Sequence, residues 1–177
     1  MAALGELGVD SACVQFWDEP DGTLKTLSPA RRETLIARLA ALLAVIRPGR
    51  LFVPCSPDGS SEHDPVLGLA REALSRARQE PEIWQYPVWC WWNPVLLLSK
   101  IFGPGHIRRL PGEDYHAYKT RALHCYRSQL EPVAPSFTVP LPPELLDFCL
   151  QDPEYFFVLE PGRPDPGQTD NAGAPVI

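Results

Sequence analysis

Proline sets the first limit on this chain. The 177 residues include 21 prolines, and many fall where a helix or strand would have to stop. Proline lacks a backbone N–H and is excluded from helix interiors and central strands. The chain must therefore be assembled from short elements joined by turns. Between the prolines, "RLFVPC" has the continuous apolar character of a strand buried on both faces. "PVLGLAREALSRA" repeats Val66, Leu69, Ala70, Ala73, Leu74 and Ala77 on one helical face. Ser28 and Pro29 form a helix-start signal, followed by Leu35, Ile36, Leu39, Leu42, Leu43 and Ile46 at helical spacing and by "RPG" as a stop. "GVDSACVQFW" reads as a strand closed by "DEPDGT", and "EIWQYPVWCWW" as a strand or strand pair.

Strand, helix, strand, helix, strand at this spacing predicts an α/β fold with a mainly parallel sheet. Beyond it, "NPVLLLSKIFGPGHIRRLPG" reads as irregular and residues 113–130 as a helix. "PPELLDFCLQ" reads as a short helix and "EYFFVLE" as a last strand. Residues 1–160 form the expected domain. Residues 161–177 are low in apolar side chains and are expected to be a disordered tail. The opening "MAALGELGVD" reads as the end of a helix closing at Gly8, so the first strand and helix of the fold are expected to be missing. A missing strand would leave a sheet edge open to self-association.

Composition removes several function classes. The net charge of −6 opposes nonspecific binding to nucleic acid or to an anionic membrane. The longest apolar stretch, "VWCWWNPVLLLSKIF", is interrupted and too short for a membrane span. There is no secretory signal pattern. Cys13, Cys55, Cys90, Cys125 and Cys149 are odd in number, far apart and hold no CxxC pair, which argues against a disulfide framework or a cysteine zinc knuckle and fits a reducing cytoplasm. No GxSxG, GxGxxG or P-loop occurs.

One loop carries chemistry. "SPDGSSEHD" follows the apolar strand and precedes a helix. In open α/β sheets, ligands bind beyond the carboxyl ends of strands, and this loop leaves the sheet there. It brings Asp58, Glu62, His63 and Asp64 together, and imidazole and carboxylate suit a borderline divalent metal such as zinc. A catalytic zinc takes three protein ligands, so His63 needs partners. His116 and His124 share a helix at two-turn spacing, and His106 sits in a loop. None forms a metal-type pair with it. Lys119, Ser128 and Gln129 read as a solvated helix face, and the "YPVWCWW" aromatics as core or as a sugar-stacking wall.

Taken in order, "LGVD…FWDEPDGTL", "LFVPCSPDGSSEHDPV", "REAL", "YPVWCWW", "KTRALHCYRSQL" and "EYFFV" resemble the PIG-L/LmbE-like de-N-acetylase family over roughly residues 4 to 158. The resemblance implies a Rossmann-like three-layer fold and zinc-dependent removal of an N-acetyl group from an N-acetylglucosamine-type sugar conjugate. It places "SSEH" on the family's "HPDH"-like motif. His63 then becomes a metal ligand, Glu62 a group orienting it, and Trp89, Trp91 and Trp92 a substrate wall. Ser60 stands where the family has a histidine linked to stabilising the tetrahedral intermediate. No "AHPDDE"-like motif is present, and with it go the other two expected ligands and the general base. The expectation is therefore an N-terminally truncated member of the family. The alternative is a catalytically inactive remnant with a binding or scaffolding role.

Overall fold

The computed structural model describes residues 2–101, 106–130, 141 and 143–159. The tail expected to be disordered, 161–177, lies outside the described residues, as does the side chain of Ser128. Two compact units are present. One is built from residues up to Asp18 and from Arg109 to Glu154, the other from Glu19–Arg108 together with residues from Tyr155 onward.

The second unit carries the sheet. β1 (Arg50–Pro54) leads through α3 (Asp64–Ala77) to β2 (Glu82–Tyr86), which lies parallel to β1 with Phe52 opposite Trp84. β4 (Glu154–Leu159) pairs antiparallel with β2 and sets Val158 opposite Trp84. With β3 (His106–Leu110) the order across the four strands is β1-β2-β4-β3. The fold is α/β, but the sheet is mixed rather than mainly parallel, because the strand after the last helix returns against β2.

Strand alternation divides the core. Val53 and Ile83 face α2 (Pro29–Ile46) and α3, where Ile36, Leu43, Leu67, Ala70, Ala73 and Leu74 close one cluster. On the opposite face Trp84 packs with Phe156 and Val158, and the Phe52, Trp84 and Phe156 rings lie 5.5–5.6 Å apart, tilted or edge-on. α2 begins as its sequence predicts. Ser28 Oγ accepts from the Arg31 amide at 3.2 Å, with Pro29 at the first position. It ends at Arg47 in a left-handed conformation, φ 50°.

In the other unit α1 (Ala2–Glu6) packs on α5 (His116–His124), and Arg121 Nε donates to Glu6 Oε2 at 2.7 Å. α1 does close at Gly8, whose φ is +73°. The expected strand at 8–17 is absent. Asp10 instead accepts from the Ala12 amide and opens a 3-10 turn over Ser11–Cys13. The expected helix over 113–130 is interrupted at Cys125 and Tyr126, leaving α5 and the four-residue α6 (Arg127–Leu130). α7 (Pro143–Cys149) matches its prediction. The stretch read as irregular contains α4 (Pro94–Ile101), with Asn93 Oδ1 accepting from the Val95 and Leu96 amides. It also contains β3. Among the described residues, no helix is long and apolar enough to cross a membrane.

Candidate functional site

The parallel β1–α3–β2 unit brings the ends of both strands to one edge of the sheet. There the backbone runs on from β1: the Cys55 amide donates to the Tyr86 carbonyl at 2.9 Å, and the Ser56 amide to Gln85 Oε1 at 3.1 Å. Gln85 is buried, and this bond answers its polarity. The loop turns at Gly59, whose φ of +78° is the left-handed region that side chains avoid. Ser60 Oγ accepts from the Glu62 and His63 amides at 3.2 and 3.3 Å, closing a turn that delivers the chain to α3.

Asp58 is the centre of this loop. It is 1% exposed, a burial that carboxylates tolerate only with partners. Oδ1 accepts from the Val88 and Cys90 amides at 3.2 and 2.8 Å. Oδ2 meets His63 Nδ1 at 2.5 Å. Burial pushes the Asp58 pKa up, but the His63 contact and the amides of Cys90, Trp89 and Val88 outweigh it, and the net shift is downward. Its own amide donates to Asp64 Oδ1 at 2.6 Å.

These contacts reassign roles expected from the sequence. Glu62, expected to orient His63, accepts from the Leu24 amide through Oε1 at 3.2 Å, at the start of a 3-10 turn. Asp58 holds His63 instead. The Asp64 carboxylate pins the Asp58 amide rather than capping α3, and the cap position belongs to His63, which makes no side-chain cap bond. Trp89 and Trp92 are 41% and 50% exposed. Trp91 is half-buried and meets Tyr155 edge-on at 6.2 Å. Lys119 forms an ion pair with Glu154 at 2.6 Å on its helix face, and His124 Nδ1 lies 2.7 Å from the Thr120 carbonyl one turn back.

Two of the cysteines, which lack the CxxC spacing of a zinc knuckle, nevertheless meet beside this loop. Cys55 and Cys90 are fully buried, and their sulfurs and an Asp58 oxygen all lie within 4.8 Å of one another, a group that could hold a metal ion. The hydrogen bond from Cys90 holds the Cys55 thiol below its ordinary pKa, aided by the Lys100 charge, while the same contact and burial push Cys90 up. The Lys100 ammonium also donates to the Ser56 carbonyl. A signal for this pair exists: each cysteine follows the end of a strand, and parallel neighbours end at the same sheet edge.

Comparison with protein-family models, with curated proteins and with solved structures finds no match.

Proposed function

We propose that this chain carries part of the metal site of a PIG-L/LmbE-like de-N-acetylase, which hydrolyses the N-acetyl group of an N-acetylglucosamine-type conjugate. The observation that carries the reading is the Asp58–His63 contact at the carboxyl end of β1. A carboxylate on Nδ1 fixes the imidazole with its proton there and leaves the Nε2 lone pair free, the arrangement found around metal-bound histidines. His63 is 25% exposed at its side chain, so Nε2 can meet a ligand from solvent.

The residues fit one coordination position of the family's set. The other two ligands belong to an "AHPDDE"-like motif that this sequence does not contain. A bound zinc would supply a water ionised near neutral pH. His63 would hold it, Asp58 would keep the proton on Nδ1, and the exposed faces of Trp89 and Trp92 would stack on the sugar. Ser60 supports the loop through its backbone contacts and cannot replace the charge of an imidazolium. The parallel β1–α3–β2 unit is consistent with a Rossmann-like layer, and the unpaired thiols with a reducing, cytoplasmic setting.

Histidine tautomers read by long-range proton–nitrogen correlation NMR test the premise. His63 should carry its proton on Nδ1, and zinc should shift Nε2. A proton on Nε2 would remove the basis for a ligand role. Acetate release from an N-acetylglucosamine conjugate then separates enzyme from remnant: loss in His63→Ala supports hydrolysis at this site. The missing motif favours a second reading, a remnant that binds the conjugate without releasing acetate.

A further inference from the structure

We propose that Cys55 and Cys90, with Asp58, form a buried site for a soft divalent cation of the zinc class, separate from the open coordination position on His63. Three buried ligand atoms from two strand ends converge within 4.8 Å. Two zinc–sulfur bonds of about 2.3 Å at a tetrahedral angle set their sulfurs about 3.8 Å apart, inside the 4.8 Å limit that these atoms keep. Thiolates select zinc-class metals over magnesium or calcium.

Asp58 retains the capacity to join them. Each carboxylate oxygen offers about two lone pairs. Oδ1 already serves two backbone amides, whereas Oδ2 meets His63 Nδ1 alone among the described residues. The charges also close. Two thiolates and a carboxylate are met by a divalent cation and the Lys100 ammonium, which is anchored to the Ser56 carbonyl beside Cys55. On binding, each thiol loses one proton to solvent as its metal–sulfur bond forms.

Both sulfurs belong to fully buried residues, in keeping with a structural rather than a solvent-facing role. The site is structural. It ties the loop after β1 to the turn after β2, and it fixes Asp58, which in turn holds His63.

The test uses the full chain, reduced and free of oxygen, titrated with cobalt(II) as a spectroscopic stand-in for zinc. One equivalent should saturate a thiolate-to-cobalt charge-transfer band in the near ultraviolet. Cys55→Ser and Cys90→Ser should each abolish it. His63→Ala and the combined Cys13→Ser, Cys125→Ser and Cys149→Ser variant should keep it. A band that survives in both single serine variants, or that is lost only in His63→Ala, overturns the proposal; the latter result leaves the His63 reading intact. Because a serine variant can fail to fold, X-ray absorption of the wild-type chain with one equivalent of zinc gives an independent answer. Two sulfur neighbours per zinc support the site, and a shell without sulfur rejects it.

Discussion

Asp58 shows how one buried carboxylate organises a loop. Its oxygens accept from backbone on one side and from an imidazole on the other. Asparagine keeps the shape but turns one acceptor into a donor aimed at groups that already donate. We expect Asp58→Asn to cost about 1–3 kcal/mol in urea unfolding, the usual penalty for an unmatched buried polar group. The pH dependence follows from the same contacts. The folded-state pKa lies below the unfolded one, so this stability is complete above the ordinary aspartate range and is lost as pH falls through the folded value. Urea midpoints measured down the acid limb should drop less steeply in Asp58→Asn than in wild type. An unchanged slope would assign the acid sensitivity to other carboxylates. Next in sequence, Gly59 sits at positive φ with open contact distance to Leu96, 3.5 Å from a built Cβ. Space does not decide this position; backbone conformation does. Gly59→Ala should cost about 1–2 kcal/mol, and a neutral result would mean the loop turns elsewhere.

At the scale of elements, packing rather than surface charge joins α2 to α3. Arg32–Glu72 and Arg76–Glu33 link the two helices, but both pairs are solvent-exposed and contribute little. Ile36 is fully buried between them and the sheet. Ile36→Ala should cost about 2–5 kcal/mol in chemical denaturation, far more than Glu72→Ala; comparable losses would show that charge carries the contact. The sequence makes α2, α3 and β1 plain because prolines and apolar patterning agree there, joined at α2 by the Ser28 cap. It fails where one local bond competes with pattern. Asp10 captures the Ala12 amide and turns a strand-like apolar run into a 3-10 turn. The stretch that opens at Asn93-Pro94 reads as irregular, yet Asn93 caps α4 and Pro94 starts it. β3 shows no burial pattern because all its residues are exposed, so periodicity had nothing to report. The candidate site divides in the same way. His63 stands out by residue type and position, whereas the Cys55–Cys90 approach depends on strand pairing across 35 residues of sequence separation and has no local motif.

At the scale of the molecule, the sheet order decides where backbone protection should be greatest. β2 is paired on both sides, with β1 and with β4. Its Ile83, Trp84 and Gln85 are all buried, between the α2–α3 cluster on one face and the aromatic cluster on the other. β1 stands at the end of the strand order, and Phe52 is 49% exposed on it. An end strand has ladder partners on one side only, and its outward amides open without breaking sheet bonds. Native-state hydrogen exchange should therefore be slowest at residues 83–85, with alternate amides of 50–54 exchanging measurably faster. Uniform slow exchange along β1 would mean that another strand covers that edge. Dilution then identifies it: protection that fades as protein concentration falls belongs to a second copy of the chain, the self-association an open edge invites, whereas protection independent of concentration belongs to the same polypeptide.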